Sequence, residues 1–157
     1  TLADYAVATG AHALLFTCSA FGPCIDAVAQ RYPNQPVLKP NEAMIRDAVC
    51  ARKPVGLVVS FAPTLQSMPA EFPAGVLMGF EMAEGAMEAL NAGDLAAHDA
   101  AVAAAAHRLK ARGAAVVALA QFSMARAGDE VTRLTGLPVL TTPGSAIAEL
   151  RRRLARV

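Results

Sequence analysis

The chain of 157 residues contains no tryptophan, and aromatic residues make up only 5% of it. Charged residues are scarce at 17%, and the formal net charge is only +1. A basic surface that would attract nucleic acid is therefore not expected. The apolar share of 55% excludes a disordered chain, and the length suffices for one ordinary domain or two small lobes with a core.

Long apolar runs are also lacking. None approaches the roughly 20 residues that span a bilayer, and no basic segment followed by an apolar one directs export. We therefore expect a cytoplasmic protein without a membrane partner. The three cysteines, Cys18, Cys24 and Cys50, lack zinc-ligand spacing and the three histidines are scattered, so no metal site is expected.

The alternation of apolar runs with helical segments predicts an α/β fold in which mainly parallel sheets are flanked by helices. Strands are expected at 13–17, 37–38, 55–60, 115–120 and 138–142. Helices are expected at 1–9, 25–31, 42–52, 81–91, 94–112 and 145–157. The segment 73–80 interrupts this alternation, and the chain opens inside a helix, so pieces of the fold are expected to be missing.

The segment 16–24, FTCSAFGPC, follows an apolar run and precedes a helix. A buried strand is thus predicted to end in Cys18 and Ser19, at the place where α/β proteins present side chains and free N–H groups to a ligand. A helix N-terminus favours the thiolate form, so Cys18 could act as a base or nucleophile. The alternative is a small cysteine buried in the core.

Two later strands end in similar polar residues, Ser60 with Thr64 and Gln121 with Ser123. The carboxyl ends of parallel strands meet at one edge of a sheet, where such folds bind ligands. We therefore expect these side chains to converge with Cys18 on one crevice.

Three segments resemble the aspartate/glutamate/hydantoin racemase superfamily, which also includes maleate isomerase and arylmalonate decarboxylase. They are TCSA at 17–20, PVLKPNEA at 36–43 and VGL at 55–57. The resemblance, which extends over 11–154, implies two similar lobes with the active site in the cleft between them, no cofactor, and a small carboxylic-acid substrate. Members usually begin with a further segment of roughly 50 to 60 residues, so the N-terminal part of the first lobe is expected to be missing.

The resemblance also suggests how the chain is divided. Residues 1–54 would form the remainder of the first lobe, and residues 55–137 the second lobe. The last strand and helix, 138–157, could pack back on the first lobe. The sequence leaves self-association into a homo-oligomer open.

In the racemases of this superfamily, one cysteine from each lobe faces the substrate α-carbon. One takes the α-proton as a thiolate, and the other returns a proton on the opposite face. The resemblance puts Cys18 at the first cysteine position and Ser19 at the neighbouring position that helps to hold a carboxylate. Thr64, with Ser60 nearby, falls where the second lobe supplies further donors. Gln121 stands at the second cysteine position, and an amide does not titrate near neutral pH.

These residues favour an isomerase of the racemase type that acts at the α-carbon through Cys18. A lone thiol would serve equally well in a decarboxylase of an activated malonate, which needs a single protonation. A small-carboxylate binding protein without catalytic activity is the third alternative. Asn41 and Ser123 are expected to contact the substrate, and helix capping is the alternative role for Asn41.

Other polar residues are weaker candidates. His98 and Asp99 could form a base with its orienting carboxylate, but their place in the first turn of a helix predicts that His98 faces solvent. Cys24 and Cys50 are expected to be packing thiols. Thr141 either lines the crevice or caps the last helix.

Overall fold

The computed structural model describes residues 1–18 and 22–155. Its helices are α1 (Leu2–Ala8), α2 (Gly22–Arg31), α3 (Glu42–Ala51), α4 (Ala62–Ser67), α5 (Ala86–Asn91), α6 (Leu95–Ala111), α7 (Gly128–Thr135) and α8 (Thr142–Leu154). Its strands are β1 (Leu14–Leu15), β2 (Val37–Leu38), β3 (Val55–Val59), β4 (Leu77–Met82), β5 (Val116–Leu119) and β6 (Val139–Thr141). In this part of the chain no helix has the length and apolar character needed to cross a membrane.

The strands form two parallel sheets, one that pairs β1 with β2 and one with the order β4-β3-β5-β6. Every residue of the central strands β3 and β5 is buried. One face of the larger sheet packs on a core that includes Val102 and Leu109 of α6, and the other face packs on Met44 of α3. A continuous apolar strand is what burial on both faces requires. The predicted α/β class, with parallel sheets flanked by helices, is confirmed.

The edge strand β4 corrects the interpretation of residues 73–80. These residues do not interrupt the alternation, because β4 begins at Leu77 and pairs with β3. The helix expected at 81–91 begins only at Ala86. Gly79 within β4 and Pro73 before it lower the strand preference of this segment, so the sequence pattern does not indicate the strand. The strand is stabilised by its pairing with β3.

The last strand and helix contact different parts of the fold. β6 pairs with β5 and extends the larger sheet. α8 packs on α3, where Glu149 forms an ion pair with Arg46 at 2.9 Å and Arg153 lies 3.5 Å from Glu42. The division of the chain into lobes stays a prediction.

Gly56 in β3 marks a close approach between the larger sheet and α6. A Cβ atom there would lie 2.9 Å from the Cβ of Leu109 and 3.1 Å from the Cβ of Ala114. At its register partner Gly79, a Cβ atom would meet only the Arg112 side chain, at 3.7 Å. We expect Gly56→Ala to lower the free energy of unfolding by about 1–3 kcal/mol through overpacking.

The matched control is Gly79→Ala, which should change the free energy of unfolding by less than about 1 kcal/mol. Urea unfolding of both variants measures the difference. Equal losses in the two variants would contradict the close packing of β3 against α6.

Candidate functional site

A pocket of about 500 Å³ lies at the carboxyl ends of the strands. Its lining residues follow strands of both sheets and are Thr17, Cys18, Pro40, Asn41, Phe61, Pro63, Thr64, Ser67, Glu71, Ala120, Gln121, Phe122 and Ser123. The volume is in the range of small-molecule sites, and the position at the strand ends is where α/β folds bind ligands.

Most of the side chains singled out in the sequence meet in this pocket. Cys18, Asn41, Thr64, Gln121 and Ser123 all line it. Their meeting follows from the sheet order, because each residue comes shortly after the end of a strand. Their roles stay predictions.

The two serines expected beside them have different positions. Ser60 is only 7% exposed and does not line the pocket directly. It lies behind the wall, in hydrogen-bond contact with Gln121. Ser19 lies outside the described residues.

Cys18 is exposed, so the alternative of a core cysteine is excluded. Cys24 and Cys50 are exposed as well, which makes their expected role as packing thiols wrong. Cys24 lies in the first turn of α2 and Cys50 in the last turn of α3, so both are at helix ends that reach the surface. Of these thiols, Cys18 is the one that lines the pocket.

Gln121 connects the ends of β3 and β5 through its side-chain amide. Its Oε1 accepts hydrogen bonds from the backbone N–H of Ser60 at 3.1 Å and from the Ser60 hydroxyl at 3.3 Å. Its Nε2 donates to Oγ1 of Thr64 at 2.9 Å. These contacts are possible because β3 and β5 are paired, so that residues just past their ends lie side by side.

The two candidate helix caps differ. Asn41 stands at the N-cap position of α3, but its side chain makes no capping hydrogen bond, and it is only 6% exposed at the pocket wall. Thr141 caps α8 by accepting a hydrogen bond from the backbone N–H of Gly144 at 3.1 Å. Thr141 does not line the pocket.

Glu71 is a lining residue that the sequence did not reveal. It ends the 3-10 turn Met68–Glu71, well past the end of β3. Burial raises the pKa of its carboxyl group, although the charge of Lys39 and a hydrogen bond with Asn41 favour the carboxylate. A lone acidic residue in a mainly apolar stretch was the available signal, and the strand-end rule does not extend that far along the chain.

The pocket also has an apolar part. Phe61 lies two residues past the end of β3 and Phe122 three residues past the end of β5, and both line the pocket. Phe61 is 51% exposed. The site therefore offers an apolar surface beside its polar groups.

His98 is fully buried, so the expectation that it faces solvent is wrong. Its Nδ1 lies 2.8 Å from Oδ1 of Asp99, and Asp99 also accepts hydrogen bonds from Arg126 at 2.9 Å. Arg126 thereby holds the pKa of Asp99 below its usual value. The group anchors the turn Phe122–Ala127 to α6 and does not line the pocket. Within the described ranges no cluster of three His, Cys, Asp or Glu residues could hold a metal ion.

The fold is similar to that of several solved enzymes. Allantoin racemase from Klebsiella pneumoniae matches with a TM-score of 0.75 at 18% identity, over 98% of this chain and 64% of its own. A glycine-to-cysteine mutant of arylmalonate decarboxylase, in its sulfate-associated form, matches with a TM-score of 0.72 at 17% identity, over 96% and 70%. A glutamate racemase isoform from Bacillus anthracis matches with a TM-score of 0.70 at 15% identity, over 99% and 62%.

These similarities lie in the fold. No protein-family model matches the chain, and no curated protein matches it in sequence. The chain spans 64% of the length of the Klebsiella allantoin racemase and 53% of an allantoin racemase from Pseudomonas fluorescens. The predicted α/β class with parallel sheets is confirmed, and the fold is similar to that of these enzymes.

Proposed function

We propose that the chain is a cofactor-independent isomerase of the racemase type. It acts at the α-carbon of a small carboxylic acid or amino-acid derivative through the thiol of Cys18. The observation that carries the proposal is the meeting of this exposed thiol with the side chains of Asn41, Thr64 and Ser123 in one pocket. The similarity in fold to two kinds of racemase and to a decarboxylase supports the reaction class.

The chemistry requires a base and donors aimed at a carboxylate. The Cys18 thiolate takes the α-proton and becomes a thiol, while the electron pair of the C–H bond moves into the carboxylate to give an enediolate. Hydroxyl and amide donors stabilise the added negative charge, and each well-placed donor is worth about 3 kcal/mol. Thr64 and Ser123 are such donors in the pocket. Return of the proton from the Cys18 thiol restores the thiolate.

Because Gln121 is neither an acid nor a base, Cys18 is the only proposed proton-transfer group in this mechanism. It lines the pocket after β5, whereas Cys18 comes from the segment after β1 in the other sheet. An amide cannot give or take a proton at neutral pH. If the Cys18 thiol exchanges its proton with solvent and returns a proton on the same face, the result is exchange without inversion. Inversion depends on a proton that water delivers to the other face, after which the hydroxide takes the proton of the Cys18 thiol and restores the thiolate.

A decarboxylase is the second candidate, and the single thiol favours it. Loss of CO2 from an activated malonate breaks a C–C bond and leaves an enediolate, which one proton from Cys18 converts to the product. Glu71 disfavours this candidate, because its carboxyl group lies in the same pocket. A second substrate carboxylate would be repelled there, whereas an N–H group on a monoanionic substrate would find an acceptor.

The binding protein is the third alternative, and the reactivity of the thiols separates it from the enzymes. At about pH 6.5, iodoacetamide is expected to modify Cys18 at least about tenfold faster than Cys24 and Cys50, because the proposed function requires Cys18 to react as a base at this pH. Peptide mass spectrometry over time gives the three rates in one sample.

Cys24 and Cys50 are internal controls, because both are exposed and lie outside the pocket. All three thiols should react readily at about pH 9, where ordinary thiols ionise. Equal rates for the three thiols at the lower pH would favour the binding protein over the enzyme.

A further inference from the structure

The hydrogen bonds of Gln121 have a direction that the chemistry of the groups fixes. The backbone N–H of Ser60 only donates, so the side-chain atom of Gln121 that faces it at 3.1 Å must be the oxygen. The amide nitrogen of Gln121 therefore faces Thr64, at 2.9 Å from Oγ1. An amide nitrogen only donates, so the Thr64 oxygen accepts this bond.

The hydroxyl proton of Thr64 is consequently left for another acceptor. Among residues 1–18 and 22–155, the Thr64 hydroxyl makes one hydrogen bond, in which it accepts from Gln121. Thr64 is partly buried and lines the pocket. The Thr64 hydroxyl can therefore donate a hydrogen bond to a molecule in the pocket.

We propose that Gln121 is a positioning residue that holds the Thr64 hydroxyl as a fixed donor to one oxygen of the substrate carboxylate. The inference rests on the proposed function in that it takes the substrate to be a carboxylate. Ser60 donates to the amide oxygen of Gln121, and the amide nitrogen of Gln121 donates to Thr64. The Thr64 hydroxyl then donates to the ligand. Gln121 acts through Thr64 and takes no part in proton transfer.

The chemistry of the alternatives explains why an amide suits this position. A glutamate side chain would present acceptors to both Ser60 and Thr64, so the Thr64 proton would turn away from the pocket. A cysteine side chain is too short to reach both groups and is a weak donor. A preorganised donor requires a partner that donates to Thr64 while it accepts from Ser60, and the amide does both.

The test uses 2-phenylpropanoate and its uncharged amide, 2-phenylpropanamide, as probes. The carboxylate matches the donor, and the phenyl ring matches the apolar surface of Phe61 and Phe122. Isothermal titration calorimetry of the full chain should show tighter binding of the carboxylate than of the amide. Thr64→Val should weaken carboxylate binding by about tenfold or more, whereas Thr64→Ser should stay within about threefold of the original.

A double-mutant cycle separates a positioning role from direct contact. Gln121→Met removes the amide without adding charge, and we expect it to weaken carboxylate binding by about threefold to tenfold. In the Thr64→Val background, the same substitution should have no further effect. Binding of the uncharged amide should change by less than about threefold in all variants, which controls for folding and for the shape of the pocket.

Independent, multiplying effects of Gln121→Met and Thr64→Val would overturn the proposal, as would failure of 2-phenylpropanoate to bind better than its amide. Failure of the proposed reaction gives a different result. If no substrate exchanges its α-proton but carboxylate binding follows the expected cycle, the role of Gln121 stands and the reaction does not. If exchange occurs and the cycle shows independent effects, the reaction stands and the positioning role is lost.

Discussion

Replacement of Cys18 by alanine is expected to lower the turnover rate by about 10³-fold or more. A positioned general base contributes about 10²- to 10⁴-fold to a rate, and no other cysteine or histidine lines the pocket within the described residues. The loss should appear in the turnover rate more than in substrate affinity, because the donors that hold the carboxylate remain. Circular dichroism of an enantiopure substrate over time measures racemisation, and release of CO2 measures decarboxylation.

Three variants complete this experiment. Cys18→Ser keeps nearly the same volume and should be almost as inactive as Cys18→Ala, because a hydroxyl group is a far weaker acid than a thiol. Cys24→Ala and Cys50→Ala should keep the original rate, because both residues lie outside the pocket. A Cys18→Ala variant that retains a third or more of the rate would remove Cys18 from the mechanism.

The second large effect is expected from Gln121→Cys. This substitution puts a group that can hold a proton at the second position of the pocket, where the amide holds none. The ratio of inversion to α-proton exchange should rise by up to about 10²-fold, which is the usual contribution of a positioned acid. The ratio is informative even if overall activity falls, because both processes share the same substrate-binding step.

Gln121→Ser is the matched control for that experiment. It also removes the amide and shortens the side chain, but a serine hydroxyl does not titrate near neutral pH. Its ratio of inversion to exchange should stay at the original value. A rise of equal size in Gln121→Ser and Gln121→Cys would show that water entry, and not the new thiol, supplies the second proton.

The sequence predicted the pocket residues that lie within a few residues of a strand end. Cys18, Thr64 and Gln121 could be placed together because parallel strands bring their carboxyl ends to one edge. Glu71 could not be placed, since its position depends on how α4 and the following turn fold back over the pocket. The hydrogen bond from Gln121 to Thr64 could not be predicted either, because it depends on the register of β3 with β5.

Two errors have a common physical origin. α6 is rich in alanine on all sides, so neither the spacing of its apolar residues nor a position in its first turn identifies the buried face, and the prediction that His98 faces solvent is wrong. β4 was missed because Gly79 and the turn before the strand conceal its local preference. In both cases tertiary contacts, and not the local pattern, decide the outcome.

The measurement that tests the central claim most directly is proton NMR of candidate substrates in D2O with the full chain and its Cys18→Ala variant. The panel contains amino acids, hydantoins, maleate and substituted malonates. We expect the α-proton signal of at least one compound to disappear as deuterium enters, or CO2 to be lost, with the original chain and not with Cys18→Ala. An unchanged spectrum for every compound, or equal exchange in the two proteins, would contradict catalysis by Cys18.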